Sequence, residues 1–155
     1  PQSAGLVLGT RELIAGCRRL APPTQGIGRP LKVGKEELAG MLAAIQYTLD
    51  QDEAAMLEGY EAIVQKWIKD LAGIGGVTAE RGFPSEAGQP HARTIVRLHA
   101  DFSKTRDQVV DELRNGDVWI EVAALEPNAI ALNPQTLTRE EADIVSARLR
   151  QVLAN

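Results

Sequence analysis

The sequence predicts an α/β chain of α+β type, a mostly antiparallel sheet with helices on one face, and three observations predict it. From the third helical stripe onward the apolar patterns run β, β, α, β, β, α. The connection between the last two strands, at Glu126-Pro127-Asn128, is too short for a parallel crossover. The helical segments are apolar along one stripe each, as a layer laid over a sheet requires.

In chain order, Leu6-Val7-Leu8 reads as a buried strand. One strand cannot satisfy its own ladder groups or cover both its faces, so its sheet is expected in polypeptide beyond these residues. The chain is accordingly expected to be the C-terminal part of something larger. Gly9-Thr10 opens a helix with Leu13, Ile14, Cys17 and Leu20 on one side and Arg18 and Arg19 near its end, and Ala21-Pro22-Pro23 stops it. Cys17 is expected to be a small buried hydrophobe. A second helix follows Lys35-Glu36-Glu37, with Leu38, Met41, Leu42, Ile45 and Leu49 at helical spacing.

Asp50 or Asp52 can cap a third helix whose stripe is Met56, Tyr60, Ile63, Val64, Trp67, Ile68 and Leu71. Strands are expected at Ile74 to Glu80, Thr94 to His99, Val118 to Val122 and Ala129 to Leu132, with a surface loop over 81–90. Ser103 or Thr105 begins a fourth helix, closed at Asn115-Gly116 by a left-handed cap. Thr138-Arg139-Glu140-Glu141 is a capping box that starts the last helix and turns Ile144, Val145, Leu149, Val152 and Leu153 inward.

The bulk numbers narrow the function. A net charge of -4 over 155 residues argues against broad nucleic-acid binding, which needs a basic surface. The lone Cys17 excludes an internal disulfide and a cysteine-rich metal site, and points to a reducing compartment such as the cytoplasm. No apolar run approaches the roughly 20 residues that span a bilayer.

Most catalytic signatures fail on spacing. Gly28 to Lys35 is not a phosphate loop, because five residues separate Gly28 from Gly34 and Glu36 stands where a magnesium-binding hydroxyl belongs. Gly26-Ile27-Gly28 lacks a preceding strand and a third glycine, so it is no dinucleotide fingerprint. His91, His99 and Asp101 do not complete a zinc site, so no metal is expected, and no serine sits in a nucleophile elbow. What remains is Arg29, Lys32 and Lys35 on a segment of three glycines and a proline, with Arg93 after the loop. Two readings stand at this point: recognition of a carboxylate or phosphate, or a solvated linker kept soluble by its cations.

Gly28-Arg29-Pro30-Leu31-Lys32-Val33-Gly34-Lys35-Glu36-Glu37, with Pro1-Gln2-Ser3-Ala4-Gly5-Leu6-Val7-Leu8-Gly9 before it and Leu132-Asn133-Pro134-Gln135-Thr136-Leu137 after it, resembles the C-terminal half of the selenocysteine synthase family. The family includes D-glucosaminate-6-phosphate ammonia-lyase-like enzymes. The resemblance implies part of a pyridoxal-phosphate enzyme of the aspartate-aminotransferase fold, with lyase or transferase chemistry on a hydroxylated or phosphorylated amino compound, as a homo-oligomer. It divides the chain into 1–25, the end of the large cofactor-binding domain, 26–36, a connector, and 37–155, the small domain.

In such enzymes the Schiff-base lysine precedes the Pro-Gln-small-Gly stretch, so the resemblance implies a catalytic lysine upstream of Pro1 and none here. Gln2 and Ser3 are the implied cofactor contacts. Arg29, Lys32 and Arg93 are the candidates for a substrate carboxylate or phosphate. Relatives tend to carry an arginine in the strand before the Leu-Asn-Pro turn, where this chain has Glu121. Either the substrate differs, or Arg93 or Arg97 takes that role. The competing reading is a non-catalytic interaction module built on the same small domain.

Overall fold

A computed structural model describes residues 3–154, and the chain divides into two compact units, Pro1–Asp52 and Glu53–Asn155. In the first unit, Thr10 caps α1 (Arg11–Leu20), its hydroxyl accepting from Leu13 N at 3.4 Å. The chain then folds back on the helix end: Gly28 N donates to Leu20 O at 2.9 Å. A Cβ on Gly26 or Gly28 would stand 2.7 or 2.8 Å from that same carbonyl, so both positions require glycine for this close approach. A short 3-10 turn, Arg29–Leu31, leads into α2 (Lys35–Leu49).

Neither helix of this unit has a buried residue, which corrects two expectations. Leu6-Val7-Leu8 forms no strand, and Leu8 is 83% exposed. Without a neighbouring strand its N–H and C=O groups have no ladder to join. Cys17 is exposed and not buried, on a helix that has no buried residue.

The second unit carries its own core. Its elements are α3 (Glu53–Leu71), β1 (Val77–Gly82), β2 (Arg93–Leu98), α4 (Arg106–Arg114), β3 (Ala123–Leu125), β4 (Ala129–Leu132) and α5 (Arg139–Ala154). The sheet is antiparallel throughout, in the order β1-β2-β4-β3, with Val77 opposite Leu98, Val96 opposite Ile130 and Ala123 opposite Ala131. The alternation along β2 decides its faces: Thr94, Val96 and Leu98 turn toward the helices, and Ile95 joins Ala129 and Ala131 on the other side. Val96, Leu98, Ile130 and Leu132 pack with Ile63, Trp67 and Leu71 of α3, Val109 and Leu113 of α4, and Leu149 and Val152 of α5. Trp67 is fully buried and its indole N–H donates to Ala142 O at 2.9 Å, tying α3 to α5. The predicted α+β architecture, with helices on one face of an antiparallel sheet, is the one observed.

The expected capping box at Thr138 forms, and a second, not expected, forms at Thr105. Thr105 and Gln108 close the start of α4, and Thr138 and Glu141 that of α5, with Thr138 N donating to Glu141 Oε2 at 2.7 Å. Three details differ from expectation. Val118 to Val122 is not a strand: Ile120 N donates to Leu113 O, and pairing with β4 begins only at Ala123. Asn115 ends α4 with φ -93°, outside the left-handed region, its side-chain amide donating to Asp111 O. Ile144 is 45% exposed, while Ala142 and Ser146 take buried positions on α5.

Candidate functional site

The densest grouping of functional side chains lies in the second unit, where the loop from β1 to β2 meets the turn that follows β4. The loop is closed on itself, with Ser85 N donating to Gln89 O, Gly88 N to Ser85 O and Gln89 N to Glu86 O. Ala87 and Gly88 lie in the left-handed region, at φ 54° and 77°, a conformation that costs the alanine more than the glycine. The closure brings Glu86 to Arg93, with Oε1 3.2 Å from Nη1.

The turn is built by Asn133. Its Oδ1 accepts from Gln135 N at 3.0 Å and lies 3.2 Å from His91 Nε2. The Gln135 N–H identifies that Asn133 atom as the oxygen, so His91 carries its proton on Nε2. His91 is 5% exposed and its ring lies 5.4 Å from that of Tyr60, whose hydroxyl donates to Gln135 O. Loop, turn and α3 are thus held by one set of contacts.

Two buried polar atoms, Ser85 Oγ in this loop and Arg93 Nε at the start of β2, lack a partner among the described residues. Leaving a buried donor unmet is costly, on the order of 1–3 kcal/mol, so each of these two atoms calls for a partner. Alongside lies a cavity of about 550 Å³ lined by Glu86, Asn133, Trp67, Trp119, Leu137 and Glu141, among others. Glu121 also faces it, gripped by Arg114 through Nε at 2.8 Å and Nη2 at 2.5 Å. That guanidinium holds the Glu121 carboxyl below its usual range, so it stays charged. The Thr138 backbone N–H at the head of α5 does the same for Glu141.

The other candidate residues belong to the first unit. Gln2 lies outside the described residues, and Ser3 sits in an exposed turn. Arg29 is half-buried in the 3-10 turn and Lys32 is exposed at its end, and no ion pair involves either among the described residues. Of the described candidates, Arg93 lies in the second unit and belongs to the cluster there, and Ser3, Arg29 and Lys32 lie in the first unit. Sequence reasoning missed its neighbours Ser85, Glu86, His91 and Asn133 as a group, although the quoted Leu-Asn-Pro turn marked one of them. Arg97 pairs with Glu80. Among the described residues no set of three or more His, Cys, Asp or Glu side chains could hold a metal, and no helix is long and apolar enough to cross a membrane.

No protein-family model matches the chain. It is similar to D-glucosaminate-6-phosphate ammonia lyase of Salmonella typhimurium, 28% identical over 97% of this chain and 39% of the relative. It is likewise similar to 5'-C-glycyluridine monooxygenase-decarboxylase of a Streptomyces species, 28% identical over 97% of this chain and 38% of the relative. To L-seryl-tRNA(Sec) selenium transferase of Desulfomicrobium baculatum it is 26% identical, over 97% of this chain and 35% of the relative. A solved structure of D-glucosaminate-6-phosphate ammonia-lyase superposes with a TM-score of 0.62 at 27% identity, covering 94% of this chain and 38% of that one. The resemblance to ammonia-lyase and selenocysteine synthase-like enzymes is borne out, and the chain spans less than two fifths of the length of these relatives.

Proposed function

We propose that these 155 residues work as the C-terminal portion of a pyridoxal-phosphate-dependent lyase or transferase acting on a hydroxylated or phosphorylated amino compound. The observation that supports this most is the coincidence of sequence and fold: the likeness to the ammonia lyase runs along 97% of the chain, and the backbone follows the solved lyase at a TM-score of 0.62. The uncovered faces of α1 and α2 agree with it, since such stripes belong against further polypeptide. In this reading 1–25 ends the large domain, 26–36 connects, 37–155 is the small domain, and the enzyme is a cytoplasmic homo-oligomer.

The described residues do not by themselves make a cofactor site. Lys104 donates to Glu112 and to Val152 O, Lys66 lies between Asp70 and Asp143, and Lys32, Lys35 and Lys69 are exposed. None is a buried amine held toward a cavity, so the anchoring amine is assigned to polypeptide outside these residues, with Gln2 and Ser3 approaching the cofactor from here. Pyridoxal phosphate, when bound, supplies an electron sink for bond cleavage next to an amine. The share of this chain is recognition: Arg93 in the second unit, and Arg29 and Lys32 in the first, are the candidates for holding a substrate carboxylate or phosphate. With Glu121 and Arg114 engaged with each other, that position offers a substrate carboxylate no free cation, and the role falls to Arg93.

The non-catalytic module is not favoured, because the relatives are enzymes by name. The test is a spectrum of the protein made from the complete reading frame that contains these residues. Absorbance at the visible edge that shifts when an amine is added is expected; a colourless protein that stays so with added pyridoxal phosphate overturns the proposal.

A further inference from the structure

We propose that Glu86 is a removable counter-ion of Arg93, standing where a carboxylate or phosphate of a bound molecule sits, and that Ser85 Oγ is the second donor of that oxyanion site. This rests on the reading of Arg93 as an anion-binding residue. The first support is the pair of unmet donors. Arg93, 19% exposed at its side chain, gives Nη1 to Glu86 and leaves Nε buried without a partner among the described residues. A guanidinium meets an oxyanion best as a fork, through two N–H groups at once, and here only one tine is engaged. Ser85 is 5% exposed, adjoins Glu86 in sequence, and its hydroxyl is likewise unmet.

The second support is the character of Glu86 itself. Its side chain is 54% exposed and offers one oxygen at 3.2 Å, a contact of the kind that contributes little to stability. The two-pronged Arg114–Glu121 pair, at 2.8 and 2.5 Å, has the geometry of a fixed bridge. Third, Glu86 lines the 550 Å³ cavity, so it has open space beside it into which it can be displaced. The two other carboxylates lining that cavity are compensated, Glu121 by Arg114 and Glu141 by the Thr138 backbone N–H just before α5. An incoming oxyanion that engages Nε, Nη1 and the Ser85 hydroxyl together outcompetes the single contact of Glu86.

The 155-residue chain is titrated with inorganic phosphate and, separately, with acetate, following the Arg93 Nε–H resonance. Glu86→Gln, at an exposed position, is expected to tighten binding about two- to fivefold, the worth of one exposed ion pair. Ser85→Ala is expected to weaken it, and Arg93→Gln to abolish it, with the amide spectrum elsewhere showing that each variant is folded. The stronger of the phosphate and acetate responses names the preferred group. An Arg93 Nε–H that moves with neither anion, in wild type or Glu86→Gln, overturns the proposal, as does Glu86→Gln binding no tighter than wild type. Wild-type affinity in Ser85→Ala overturns the assignment of Ser85. These readouts do not involve the cofactor, so their failure and the failure of the lyase reading are separate events.

Discussion

Helices α2 and α3 both carry apolar residues at helical spacing, yet α3 buries Ile63, Val64, Trp67 and Leu71, whereas α2 leaves Leu38, Leu42 and Leu49 largely exposed. The contrast extends to whole units: α3, α4 and α5 lie on a four-stranded sheet, and among the described residues of the first unit there is no strand for α1 and α2 to lie on. Periodicity states which side of a helix is apolar, and whether something covers that side is a separate, tertiary fact. Burying one leucine is worth roughly 1.5–3 kcal/mol, a gain that α3 collects and α2 does not.

The largest test of this contrast is Trp67→Ala, which empties a fully buried site and removes the N–H donor to Ala142 O. A loss of about 3–5 kcal/mol is expected in denaturant unfolding of the second unit. A loss below about 1 kcal/mol would mean that this core does not hold the unit together as drawn.

A smaller effect sharpens the comparison through pH. Burial pushes the Asp70 carboxyl upward, but the hydrogen bonds from Lys66 and from Ser146 at 2.6 Å outweigh it and hold Asp70 below its ordinary range. A carboxyl lowered in the folded state stabilises above its unfolded value, and that contribution fades as pH falls through the folded value. Asp70→Asn should therefore cost about 1 kcal/mol at neutral pH and flatten the loss of stability in acid. An acid profile identical to wild type would remove Asp70 from the account.

The smallest expected effect is Leu42→Ala in α2, under about 0.5 kcal/mol by the same unfolding measurement. A cost of several kcal/mol would break the comparison, since it would require that stripe to be covered.

What could be read in advance follows the same division. The Thr138–Glu141 box, the core stripe of α3 and the antiparallel order were legible because each is set by neighbours in sequence or by alternation. Leu6-Val7-Leu8 and Val118 to Val122 share the β-branched, apolar composition of strands, but a strand exists only where a partner's ladder meets it. For the site, Arg93 stood out as a cation beside a loop. The pairing of His91 with Asn133, 42 residues apart, is made by strand register and leaves no local mark. Glu86 reaches Arg93 only because the loop closes on itself, with Ser85 bonded to Gln89.

The strand order has one more consequence, for how copies of this protein behave at high concentration. One rim of the sheet is β3, a three-residue stub ending at the Pro127 turn, and too short to template an added strand. The other rim is β1, longer but carrying Glu80 and Arg81 and followed by Pro84, residues that discourage edge-to-edge growth into fibrils.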